Sequence, residues 1–294
     1  AEYTRQESAP DALVRARKIA LEGSERFPDS PGGDHCRHIV KSIEAPEYSF
    51  ESMRLDAAGR RSVRITHRNL DRVHLRAYAL DIEAEIKAAQ DYNLFPYGDE
   101  AREIVAKRKP DAAWKADLPK TPDYRDHRTY ADLPENLAPG LYLVVASVRE
   151  DFREEDNKGI GVGVFVGDLV LVKRQGSGPV SVGSSRSENT GFAGGSEVLV
   201  LSGATGRPVA GATIDLYAYN WRKGHAKVET KETDADGRAW FAPRDRGGSF
   251  FLLAKKGRDV VIDADGFYLG KNGEPGEARA ALVYTDRSIY RPGQ

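Results

Sequence analysis

The sequence has one cysteine in 294 residues, Cys36, and one methionine. A single cysteine excludes an internal disulfide and cannot by itself make a zinc site. No run approaches the ~18 apolar residues of a membrane-spanning helix. No basic-then-apolar leader follows Ala1. A charge excess is missing too: 44 Lys and Arg face 45 Asp and Glu, a net charge of -1. No global field therefore recruits nucleic acid or an anionic membrane. The local basic run Lys107–Lys109 reads as a solvated helix end. Hydrophobic residues make up 40% and charged residues 30%, slightly polar for a globular protein but not a disorder signature. The length predicts about two domains. The last residues, Tyr284 to Gln294, combine a Thr-Asp-Arg run with an Arg-Pro-Gly turn and read as an opening. The chain is expected to be a cytosolic protein, a mature exported one or an excised piece of a longer protein, and this ending favours the last.

Three compositional regions are present. Residues 8–45 read as a helical hairpin. Ser8 and Asp11 have capping-box spacing, and Leu13, Ala16, Ile19 and Ala20 recur at helical intervals. Phe27 to Gly33 breaks the first helix. Asp34 is the expected cap of a second, whose apolar stripe is Cys36, Ile39, Val40 and Ile43. Pro46 ends it. Two such short helices must dock on the next part of the chain to be stable.

From about Tyr48 to Val166 the pattern alternates. Ser62–His67 and Val73–Ala77, joined through Asn69 and Asp71, predict a β-hairpin. Asp81–Tyr92 and Asp99–Lys109 change period and read as helices inserted into a β domain. Pro110–Pro139 reads as irregular. Leu141–Val148 is nearly all apolar, as a central buried strand is. A charged tip, Arg149–Lys158, leads to Ile160–Val166, which pairs back.

From Gly167 to Ala280, strands are expected at Leu169–Val172, Val198–Leu201, Ala212–Tyr219, Ala239–Ala242, Phe250–Lys255 and Asp259–Ile262. Turns at Gly206–Pro208, Asp236–Gly237 and Gly247–Gly248 punctuate them. Short strands without helices predict an antiparallel sandwich.

Several stretches invite chemistry. His35-Cys36-Arg37-His38 has zinc-ligand residue types, but Cys36 lies on the apolar stripe and no second cluster supplies ligands. A Cys–His pair would need His67, His74, His127 or His225 to meet Cys36 in space; its packing position predicts an inert thiol. Asp234–Gly237 and Asp263–Gly266 repeat Asp-Ala-Asp-Gly. Neither is followed by the glutamate of a calcium loop, so both are expected to be Asp-Gly turns. Gly159–Gly163 lacks the following helix of a phosphate loop. Glu154 and Glu155 belong to the charged tip. The sequence predicts no catalytic, metal or cofactor-binding residues and no cofactor.

Ser202–Tyr217 follows the form TGxPVxGAxVxLY, with Ile214 at the second Val position, and Thr233–Phe241 has the form TDxxGxxxF. The pair resembles extracellular β-sandwich modules. Thr285–Gln294, TDRSIYRPGQ, resembles the entry into a macroglobulin domain of the alpha-2-macroglobulin family. Phe27–Ile43 resembles a helical segment preceding the first macroglobulin domain of some large bacterial members, and Arg64–Tyr78 resembles the hairpin of that first domain.

The resemblance implies a mainly β fold with a small α part, in four divisions. A helical hairpin covers 1–46, and a first macroglobulin-like sandwich with a helical insertion at about 81–109 covers 47–167. A second sandwich covers 168–283, and another domain begins at 284–294. It also implies a periplasmic or secreted protein, membrane-anchored in some members, whose family traps proteases after cleavage of a bait region, some members through a Cys-Gln thioester. Cys36 is followed by Arg-His-Ile and does not match that motif. The implied role is a non-enzymatic scaffold module. Its partners would be neighbouring macroglobulin domains and, through the full-length parent, proteases. The alternative is a protein-binding or adhesion module of the cell envelope, with the 81–109 insertion as its contact surface.

Overall fold

The computed structural model describes residues 1–52, 61–89, 94–155, 157–175, 195–220, 222–245 and 247–270. The terminal segment 284–294 and the end of the first inserted helix, 90–92, lie outside them.

After a short turn of helix, α1 (Glu2–Arg5), the chain forms α2 (Ala12–Arg26) and α3 (Pro31–Glu44). Ala16 and Ala20 of α2 are buried against Ile39 and Ile43 of α3. Small residues on one side let the axes approach. At Gly23, an added Cβ would stand 2.8 Å from Cys36 Sγ. The hairpin is as expected, but its caps are not. Ser30, not Asp34, caps α3: its Oγ accepts from the Gly33 amide at 3.1 Å, with Pro31 at the first helical position. Asp34 sits in the first turn, paired with Arg37. Asp11 stands at the start of α2 without a side-chain cap bond, so no capping box forms with Ser8. Ile19 is 46% exposed, because the alanines occupy the buried face.

Two antiparallel sheets come next: β1 (Glu47–Ser52), β2 (Ser62–Arg68) and β5 (His127–Asp132), in the order β1-β2-β5, and β4 (Ala112–Asp117), β3 (Arg72–Leu80), β6 (Gly140–Ser147) and β7 (Ile160–Val166), in the order β4-β3-β6-β7. The expected hairpin of 62–67 and 73–77 is overturned. β2 pairs with β1 and β5, whereas β3 pairs with β4 and β6. The chain arches from one sheet to the other at Asn69, whose φ is 54°. Both strands alternate because each turns an apolar face to the same core, across the sandwich rather than edge to edge. Phe50, Val63 and Ile65 meet Val73, Leu75, Tyr142 and Val144 there. Tyr48 Oη donates to the Ala146 carbonyl at 2.9 Å and ties the sheets together. Pro110–Pro139 is not simply irregular: it contains β4 and β5.

The second sandwich faces β8 (Leu169–Gln175), β9 (Ser196–Ser202) and β12 (Arg238–Phe241), in the order β12-β9-β8, against β10 (Thr213–Ala218), β11 (Ala226–Glu232), β13 (Gly248–Lys256) and β14 (Asp259–Leu269), in the order β11-β10-β13-β14. Val198, Val200, Ile214, Leu216, Phe241 and Leu252 fill the core. The antiparallel sandwich is as expected, with β11 in addition. Asp234–Gly237 is the expected turn: Asp234 Oδ1 accepts from the Asp236 and Arg238 amides, and Gly237 has φ 70°. Asp263–Gly266 is not. It lies inside β14, where the register against β13 shifts between Phe250 and Leu252, and Gly266 at φ 66° accommodates the bulge.

Candidate functional site

The two inserted helices are α4 (Ile82–Ala88) and α5 (Gly98–Lys107). Asp81 caps α4, its Oδ1 accepting from the Glu83 and Ala84 amides at 3.0 and 3.2 Å. The cap aims the apolar face of α4 into a seam between the sandwiches. Ile82, Ile86 and Leu94 pack with Leu141 of β6 and with Tyr217, Phe251 and Leu253 of β10 and β13. Tyr217 and Phe251 stack at 5.0 Å between ring centroids. The helix thus covers the outer face of the β10–β13 sheet. Both faces of β6 and β13 are consequently apolar and buried.

A charged network borders the seam. Lys255 Nζ lies 2.6 Å from Glu83 Oε1, across the two sandwiches, and 3.0 Å from Asp215 Oδ2. Asp215 is 1% exposed. It also accepts from the Thr230 hydroxyl at 2.6 Å and faces Lys227 at 3.5 Å. Burial alone would raise the Asp215 carboxyl; the hydroxyl and the two ammonium groups outweigh it and hold it below the ordinary carboxylate range. Burial pulls the Lys255 ammonium down, but its two carboxylate partners raise it overall. The sequence signals are a charge inside the apolar alternation Ile214-Asp215-Leu216 and the unbroken run Phe250–Leu253. Each marks a strand face that must be covered.

α5 lies over the outer face of the first sandwich, where Ala101 meets Tyr78, Leu143 and Val145. The glycines of β7 make room for the insertion. An added Cβ would stand 2.9 Å from the Phe95 ring at Gly163 and 3.0 Å from Leu143 Cδ1 at Gly161. Gly159–Gly163 is therefore a packing strand. A groove of about 980 Å³ separates α5 from the Arg149–Lys158 tip, lined by Tyr97, Val105 and Phe152 among others. Arg76 stands 4.0 Å over the Phe152 ring. Glu154 faces Arg102 at 3.5 Å, and Lys107 pairs with Glu103.

Cys36 is half-buried on Gly23. His35 lies 3.9 Å from Glu2, and His38 is exposed. Among the described residues, no group of three His, Cys, Asp or Glu is placed to hold a metal ion. Of the other histidines, His67 and His127 are brought together as directly opposed residues of β2 and β5, ring centroids 6.5 Å apart. His74 stands on β3 opposite Lys115. His225 accepts from the Asn220 amide through Nδ1 at 3.1 Å and meets Phe251 edge-on.

No family model matches the sequence, and no curated protein is significantly similar to it. Solved structures similar to this chain include those of bacterial alpha-2-macroglobulins. Native alpha-2-macroglobulin from Escherichia coli spanning domains NIE-MG1 is 14% identical, with a TM-score of 0.47 over 74% of this chain and 95% of that one. The MG0-NIE-MG1 structure gives the same identity and score, with 63% of its chain covered. Trypsin-activated alpha-2-macroglobulin from Escherichia coli is 12% identical with a TM-score of 0.31, over 85% of this chain and 19% of that chain. No helix among the described residues is long and apolar enough to cross a membrane.

Proposed function

We propose that this chain is a non-catalytic scaffold module of a protease-trapping, alpha-2-macroglobulin-like protein. The module divides into a helical hairpin (1–46), a first sandwich with its insertion (47–167) and a second sandwich (168–283), and a further domain begins at 284. The observation that carries the reading is the seam. Ile82, Ile86 and Leu94 are buried against strands of both sandwiches, a contact that suits a spacer rather than a substrate site. The sequence motifs Ser202–Tyr217 and Thr285–Gln294 support the family. Neighbouring macroglobulin domains are then its direct partners, proteases are met through the longer protein, and the setting is periplasmic or secreted.

The test has two arms. The purified 294-residue chain is assayed for protease inhibition and for protease capture, and the longer protein for a conformational shift on limited proteolysis. The expected result is no activity in the first and a shift in the second. Inhibition or hydrolysis by the chain alone would overturn the reading.

A second reading, docking of an envelope protein, is favoured by one observation. The apolar face of α4 is buried in the seam, but Tyr97 at the start of α5 is 56% exposed beside the groove. Loss of binding to an envelope protein on Tyr97→Ala, with unchanged stability, would favour docking over the scaffold.

A further inference from the structure

His67 lies on the core side of β2 with Val63 and Ile65 and is 0% exposed. Its Nε2 is 3.0 Å from Thr129 Oγ1 of β5, whereas its Nδ1 is buried without a hydrogen-bond partner. A neutral imidazole tolerates this, since one ring nitrogen can remain a bare acceptor. A charged one does not, because both nitrogens then carry a proton and both need acceptors.

The groups around the ring can be named element by element. Tyr48 of β1 and His127 of β5 stand opposite it in register. His127 acts on it unfavourably to charge, and Asp126, just before β5, favourably. His127 Nε2 in turn lies 2.9 Å from Asp123 Oδ1. On β2 itself, Arg68 turns to the other face, paired with Glu47 and facing Asp126 at 3.6 Å.

The segment bearing Asp123 and Asp126 also grips the helical hairpin. Tyr124, at φ 58°, packs against the α2–α3 cluster, with the Arg17 guanidinium 5.6 Å from its ring. Arg125 donates to the Ala9 carbonyl ahead of α2. Hydrating His67 requires β5 to part from β2 at its His127 end, and that movement carries residues 123–126 away.

We propose that His67 and His127 form an acid-sensitive latch. When the His67 imidazole is charged, the start of β5 separates from β2 and the α2–α3 hairpin loses the contacts that Tyr124 and Arg125 give it. The opposed His127 adds to the cost of charging His67. The proton on His67 has no acceptor at Nδ1 until the strands part.

Burial, followed by the neighbouring His127, lowers the His67 pKa in the folded chain. The closed latch is therefore fully stable above the unfolded value, about 6.5, and loses stability as pH falls below it towards the folded pKa. One linked proton gives up to about a tenfold change in the opening constant per pH unit.

The experiment is amide hydrogen exchange on the whole chain between about pH 7.5 and 5.0, a window that brackets the unfolded histidine value, corrected for the chemical exchange rate. Protection in α2, α3 and β5 is expected to fall below about pH 6.5, by up to about tenfold per pH unit, with β10 and β13 unchanged. His67→Gln should flatten that dependence, and His127→Gln, which removes a neighbour that disfavours the charged ring, should weaken it. A uniform fall across both sandwiches, or equal pH profiles in wild type and a folded variant, would overturn the latch. Should His67→Gln fail to fold, the His127→Gln profile decides alone.

Discussion

At the scale of single residues, backbone conformation separates positions that look alike in sequence. Gly237 and Gly257 both have positive φ, 70° and 60°. A Cβ at Gly237 would meet the Val200 carbonyl oxygen at 2.6 Å, whereas nothing lies within 4 Å of one at Gly257. Gly237→Ala therefore adds a collision to the left-handed penalty and is expected to cost about 3 kcal/mol. Gly257→Ala should cost only about 1 kcal/mol. Urea denaturation of the two variants checks the difference, and equal losses would refute the collision. The same scale explains why Asp-Ala-Asp-Gly is readable as a turn at one site and not at the other. At 234–237 the chain passes from β11 to β12, and Asp234 accepts the turn's own amides. At 263–266 the next residue, Phe267, returns to pair with Phe250, and only that long-range pairing makes the motif a bulge.

Among elements, strands that alternate toward a large core are legible in the sequence, and those made by their neighbours are not. Leu141–Val148 carries so many apolar residues that its burial on both faces can be read directly. Ala112–Asp117 and His127–Asp132 are short, polar on one side and set among Pro110, Pro119 and Pro122, so their ladders with β3 and β2 decide them. β11 is nearly all polar because it is an edge, one side paired with β10. The arch at Asn69 reads as a hairpin in sequence because an alternating pair with a turn between specifies facing strands but not whether they share a sheet. The Asn69 side chain shows what the arch is for. Its Nδ2 donates to the carbonyls of Ile43 at 2.7 Å and Ala45 at 3.0 Å, closing the end of α3, while its backbone amide donates to Thr121 Oγ1 at 2.8 Å. Asn69→Gly keeps the positive φ and removes both side-chain bonds, for an expected loss of about 2 kcal/mol. Hydrogen exchange should place that loss at the end of α3 and not in the second sandwich. A loss spread over both sandwiches would contradict the assignment.

For the whole molecule, the question is what couples the two sandwiches, and magnitudes separate the apolar seam from the ion pair beside it. The Glu83–Lys255 contact joins a carboxylate whose side chain is 55% exposed to an ammonium at 32%. A pair so open to water contributes about 0.5 kcal/mol. Ile86, at 1% exposure, costs about 3 kcal/mol when cut to alanine, through lost burial and the cavity left behind. Asp215 makes Lys255 matter in another way: Lys255→Met leaves a buried carboxylate with only Thr230 and the more distant Lys227, a change on the order of 3 kcal/mol. The wild-type chain is expected to unfold in one transition. Ile86→Ala should split it into two, while Glu83→Gln leaves it single and nearly unshifted. Acid adds a signed check. Because Asp215 is held below the ordinary carboxylate range, its contribution is present above about pH 3.9 and fades as pH falls through the lowered value. Asp215→Asn should flatten that part of the acid limb. A Glu83→Gln variant as damaging as Ile86→Ala would show that charge, not apolar contact, holds the sandwiches together.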